Sequence, residues 1–142
     1  MYKHILVPLE NSDTDQAILK HIRDLARWAK ARLTLLHVAD GLIARNQDRF
    51  AESEEIRQDR AYLQKIEAEL QAEGFEVRAV LDCGDPAKQI LATADDEGID
   101  LIAMSTHGHR FFSDLVLGSV AAEVRHRARV PVLLVRAMHE SE

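Results

Sequence analysis

IDLIAMSTHGHRFFSDLVLGSVAAEV, residues 99–124, holds a strand, a glycine-bracketed turn and a helix start in one run. Its opening residues are apolar but for Asp100 and too few for a helix, which predicts a strand buried on both faces. Small hydroxyl residues follow, then Gly108 and Gly118 bracketing nine residues, then Ser119. Glycine lets backbone N–H groups approach a ligand with no Cβ in the way, and the unpaired N–H groups of a first helical turn hold anions. Three or four charge-assisted hydrogen bonds of about 1.5–3 kcal/mol each would bring micromolar binding within reach. The same spacing also fits a turn whose glycines bind nothing and whose Ser119 caps a helix.

The neighbouring segments repeat this strand and helix alternation. HILVPL (4–9), RLTLLHVAD (32–40), FEVRAVL (75–81), IDLIAM and VPVLLVR (130–136) read as strands. Between the first two, Ile18, Ile22, Leu25 and Ala29 recur at helical spacing from Asp13 to Lys30, with Ser12 or Asp13 as cap. Residues 41–60 are polar, and their first half is expected to be a mobile excursion. Ile56, Leu63, Ile66 and Leu70 predict a second helix ended by Gly74. Asp85 as N-cap, Pro86 at the first helical position and Gly98 beyond the end punctuate a third. Val120, Val124 and Ala128 give a fourth. Five strands with right-handed helical crossovers predict a Rossmann-like α/β fold, an open doubly wound parallel sheet, with residues 1–142 as one domain.

With 142 residues, 46% hydrophobic and 30% charged, the composition is that of an ordinary globular protein. The net charge of −6 opposes polyanions. The one basic run, RHRAR (125–129), falls where a helix ends and cations complement its dipole, so no nucleic-acid partner is expected. Cys83 alone excludes an internal disulfide and fits a reducing compartment. MYKHILVP reaches a proline before a signal-peptide core could form, and the longest apolar runs are far below the ~18 residues of a membrane span, so a cytoplasmic location and no membrane insertion are expected.

ILVPLENS, LTLLHVAD, GDPAKQI, IDLIAMSTHG and LVLGSVAAEVRHRARVPVLLVR follow one another in the order and at the separations of universal stress proteins, which the chain resembles from Lys3 to Arg136. The resemblance implies a five-stranded sheet of order 3-2-1-4-5, a homodimer through the last strand (Val130 to Val135), and kinship with an ATP-binding branch carrying a Gly-x2-Gly-x9-Gly-[Ser/Thr] loop. On this chain Gly108, Gly118 and Ser119 match that loop, while Ser105 stands at its first glycine, and Glu10 stands where the family usually has Asp. By resemblance, Pro8, Leu9, Glu10 and Val38 would line the adenosine. The loop residues Ser105, His107, Gly108, His109, Arg110, Gly118, Ser119 and Val120 would surround the phosphates, with Mg²⁺ leaning on phosphate and water. The implied function is an ATP-binding regulatory stress-response protein whose occupancy alters loop conformation and a protein partner's access. The alternative is a nucleotide-independent dimeric interaction module. The Ser105 Cβ resembles overpacking and predicts binding weakened by about 5- to 150-fold.

No nucleophile, base and orienter stand together, so the chain is expected not to be an enzyme beyond slow ATP turnover. The His107 and His109 pair lacks the further ligands of a transition-metal site, so none is expected there. His37 reads as a packed, hydrogen-bonded residue. Trp28 reads as a partly buried edge residue and Cys83 as a small buried hydrophobe. Phe111 and Phe112 fit partner anchors and core packing equally well.

Overall fold

Ile5, Leu6 and Val7 are fully buried, and this two-faced burial puts their strand, β1 (His4–Pro8), at the centre of a parallel sheet. In chain order the other elements are α1 (Asp15–Ala29), β2 (Arg32–Asp40), α2 (Glu54–Ala72), β3 (Val77–Gly84), α3 (Pro86–Asp96), β4 (Leu101–Thr106), α4 (Gly118–Arg127) and β5 (Val132–Arg136). The strand order is β3-β2-β1-β4-β5, the Rossmann-like order expected. These elements come from a computed structural model that describes residues 1–40, 54–106 and 118–137. The expected excursion over the first half of 41–60 falls largely on 41–53, outside the described residues; Glu54 onward is helix.

Strand alternation sorts the core into two layers. Ile5, Val7, Leu33 and Leu35 pack against Ile18 and Ile22 of α1 and Leu63 and Leu70 of α2. Leu6, Leu36, Ile102 and Met104 pack against Ile90 and Ala94 of α3 and Ala121 and Val124 of α4. The apolar stripe of α1 runs through Ile18, Leu19, Ile22 and Ala26, and Trp28 stands off it, 75% exposed. That overturns the partly buried reading, because no layer covers that side of the helix. Cys83 is likewise exposed rather than buried, since it falls near the end of β3, an edge strand.

The ends of the helices are set by local chemistry. Asp85 accepts from the Lys88 N–H at 2.9 Å with Pro86 just inside α3, as expected. α1 departs from expectation: neither Ser12 nor Asp13 caps it, and Thr14 at the N-cap makes no side-chain cap bond. Asn11, in the left-handed region at φ +62°, turns the preceding chain so that its N–H groups meet the Asp15 carboxylate instead. In the last turn of α4, Arg125, His126 and Arg127 are exposed beside the helix C-terminus, and Arg127 pairs with Glu123 at 2.9 Å.

The β3 edge is closed by α2. Glu67 accepts from the Ala79 N–H at 2.8 Å and Gln71 donates to the Val77 carbonyl at 3.1 Å, which takes outward-facing backbone groups out of reach of an added strand. β5 forms the opposite edge, with Val132 to Val135 half-buried.

Candidate functional site

The C-terminal ends of β1, β2 and β4 open beside the first turn of α4, and between them lies a cleft of about 320 Å³. Open parallel sheets place ligands at such a point, where helix N-termini and unpaired backbone converge. Pro8, Leu9 and Glu10 form one wall, Val38 continues it from β2, and Ser105 closes it from β4. Gly118, Ser119 and Val120 contribute the α4 end. Each of these residues was expected at the site, and the fold brings them together. His107, Gly108, His109 and Arg110, with Phe111 and Phe112, lie outside the described residues.

Leu36, Ile90 and Met104, all buried, supply an apolar floor together with Pro86. None of the four was expected at the site, and Pro86 was read only as the first residue of a helix. Gly118 opens α4 at φ +72°, a left-handed conformation that glycine adopts without a Cβ penalty. A first helical turn has no intrahelical partners for its N–H groups, which suits an anion, and a flat apolar base suits the floor.

Two polar residues of the wall are already engaged. The Ser105 hydroxyl donates to the Thr14 carbonyl at 2.7 Å, and the Thr14 hydroxyl donates to Glu10 Oε2 at 2.7 Å. A carboxylate accepts hydrogen bonds and donates none, the chemistry that a ligand hydroxyl requires.

The 9–12 turn is held from three elements, and two of its holders, Asp15 and His37, line the cleft themselves. The Leu9 N–H donates to the Leu36 carbonyl at 2.8 Å. Asp15, 1% exposed, accepts from the N–H groups of Glu10 and Asn11 at 2.8 Å each, from that of Ser12 at 3.3 Å, and from the Tyr62 hydroxyl at 2.9 Å. Burial pushes the Asp15 carboxyl above its usual range, against the pull of those donors. Burial and the Asp15 charge push the Tyr62 phenol upward. His37 is packed and hydrogen-bonded as expected: Nδ1 lies 2.9 Å from the Leu9 carbonyl and Nε2 3.1 Å from Asp59 Oδ2. Asp15, Asp59 and Tyr62 were missed. The one local signal was NSDTD (11–15), dense in residues that bond their own backbone.

Among the described residues, no group of three or more His, Cys, Asp and Glu could hold a metal ion, and no helix is long and apolar enough to cross a membrane. A second hollow, of about 420 Å³, lies at the N-terminal ends of β1 and β2, lined by Lys3, Arg27, Arg32 and Glu73. It lacks the strand C-termini and helix N-terminus that make the first cleft suited to an anion.

Known proteins share this fold. MJ0577, a universal stress protein of Methanocaldococcus jannaschii, is 30% identical over 96% of both chains. Its solved structure matches this chain with a TM-score of 0.81 at 31% identity, covering 99% of each. The same fold occurs in a universal stress protein solved with cAMP (TM-score 0.76, 20% identity, 96% of this chain and 99% of that one). It occurs again in one from Archaeoglobus fulgidus solved with dAMP (0.71, 23%, 94% and 98%). The model of the Universal stress protein family spans residues 1–136, strand β1 through strand β5, and with the sheet order and the MJ0577 match it makes this chain a member of that family.

Proposed function

We propose that the chain, acting as one domain, binds ATP or a related adenine nucleotide in the cleft at the ends of β1, β2 and β4 and serves as a regulatory protein rather than an enzyme. The observation that carries this reading is the meeting of an apolar floor (Leu36, Ile90, Met104), an acceptor wall at Glu10 and the open first turn of α4 at Gly118 in one cleft. The base would lie on the floor beside Val38, the ribose hydroxyls would reach Glu10, and the phosphates would meet the N–H groups of Gly118, Ser119 and Val120. Mg²⁺ would be held through phosphate and water. That relatives of the same fold were solved with cAMP and dAMP agrees with this choice of ligand class.

Calorimetry with ATP and AMP in the presence of Mg²⁺ tests the reading. Wild type is expected to bind and Gly118→Val to lose binding, because a β-branched side chain is strained at φ +72° and fills the anion turn. Absence of binding by folded wild type rejects it. Regulation through a partner rests on a change across residues 105–118 when nucleotide binds, and hydrogen exchange there must then differ between the free and saturated protein.

The second reading, a nucleotide-independent interaction module, is favoured by the engagement of both Ser105 and Glu10 with Thr14. Both readings include a homodimer through β5. The closed edge at β3 supports β5 as the pairing edge. Light scattering is expected to give twice the chain mass, and a monomer at micromolar concentration removes this part.

A further inference from the structure

His37 stands between two acceptors, the Leu9 carbonyl on Nδ1 and the Asp59 carboxylate on Nε2. Both partners are acceptors, so a ring N–H on Nε2 donates to Asp59 across 3.1 Å and one on Nδ1 donates to Leu9 across 2.9 Å. The side chains are only 12% and 21% exposed, which shields the pair from solvent. The other Asp59 oxygen, Oδ1, accepts from Asn11 Nδ2 at 2.8 Å, so this carboxylate bonds to β2 and to the 9–12 turn at once. Three residues further along α2, the Tyr62 hydroxyl reaches Asp15, which gathers the N–H groups of Glu10, Asn11 and Ser12. Residues three apart on a helix share a face, so one face of α2 holds the rear of this turn at two points.

The front of that turn, Pro8 to Glu10, is a wall of the cleft. We propose that Asp59 and His37 form a latch through which α2 positions this wall, so that the seating of α2 and nucleotide affinity are coupled. This rests on the adenine-nucleotide reading above and names the element that regulates the site. Asp59 is a positioning residue: it holds the Leu9 carbonyl through His37 and Asn11 directly, and it lies outside the cleft lining, which His37 joins. Linkage makes the coupling reciprocal, so a partner that lifts α2 weakens nucleotide binding by the same factor by which nucleotide resists the lifting.

Two substitutions at one position separate held geometry from charge. In Asp59→Ala the bridge is lost. In Asp59→Asn the new amide donates to the bare Nε2 of a neutral ring, while its carbonyl accepts from Asn11, and the geometry survives without the carboxylate charge. By calorimetry, ATP affinity is expected to fall about 10-fold in Asp59→Ala and to stay within roughly 3-fold of wild type in Asp59→Asn. Nitrogen-15 NMR of the His37 ring is expected to show Nε2 protonated in wild type, where it faces a carboxylate, and bare in Asp59→Asn. Should Asp59→Ala not fold, Asn11→Gly removes the other tie while suiting φ +62°, and a loss of about 3-fold or more is expected. Wild-type affinity in folded Asp59→Ala or, in its place, Asn11→Gly overturns the latch, as do equal losses in Asp59→Ala and Asp59→Asn or a wild-type ring with a bare Nε2. Failure of wild type to bind any adenine nucleotide is a different result: it rejects the proposed function and the coupling that rests on it.

Discussion

The Ser105 hydroxyl at the end of β4 donates to the carbonyl of Thr14, 91 residues away at the start of α1, across 2.7 Å. One side chain therefore ties the β4 wall of the cleft to the start of α1, at the position where the resembled loop pattern has a bare glycine.

Ser105→Gly is expected to separate the two consequences of that side chain. Loss of the tie should lower stability by about 1 kcal/mol, read from denaturant unfolding. Removal of the Cβ should tighten ATP binding at least about 5-fold, read by calorimetry. Unchanged affinity in a folded variant would show that Ser105 braces the β4 wall without limiting the ligand.

His4 sets the sign of part of the acid response. It is 7% exposed, its Nε2 lies 2.7 Å from the Thr34 hydroxyl, and its Nδ1 is buried without a partner. Burial, helped by the nearby Arg32 charge, holds its pKa below the ordinary imidazole value. The unfolded chain then binds the proton more readily, so the contribution of His4 is fully present above about pH 6.5 and is lost as pH falls through its lowered folded value. Asp15 has the opposite sign, because its raised pKa favours the protonated folded form. His4→Gln is therefore expected to flatten the fall in melting temperature between about pH 7 and 5, and an unchanged slope would put the acid sensitivity elsewhere.

Asp15→Ala removes the acceptor for three backbone N–H groups and the Tyr62 hydroxyl in a site that water does not reach. Stability should fall by about 3 kcal/mol, whereas Tyr62→Phe, which deletes one donor and strands no amide, should cost about 1 kcal/mol. Similar losses in both variants would mean that the turn finds other partners.

Glu67→Ala uncovers the outward N–H of Ala79 on the β3 edge. Light scattering during mild heating should show earlier aggregation than in wild type, with a stability loss of about 1–2 kcal/mol. Aggregation at the wild-type temperature would show that Gln71 and the helix suffice to guard this edge.

Much of this architecture was legible because its signals are local. Apolar runs too short for helices marked the strands, Asp85 and Pro86 punctuated α3, and Gly74 ended α2 at φ +97°. Gly118 and Ser119 could be nominated from the glycine-bracketed turn and helix start, Pro8 and Glu10 from the family resemblance, and parallel topology gathers all four on one side of the sheet. Hydrogen-bond partners carry no such local signal. Asp15 reads as an ordinary first-turn acid until Asn11 folds the chain back onto it, and the contact of His37 with Asp59 spans 22 positions. The exposure of Trp28 and Cys83 followed from what covers each side of a helix or strand, which depends on neighbours placed by the whole fold. Periodicity along the chain therefore reached the elements and the end of the sheet where the cleft opens, while the bonds of Asp59 to His37 and Asn11 arose only where α2 packs on β2 and the 9–12 turn, because they join side chains that meet through that packing alone.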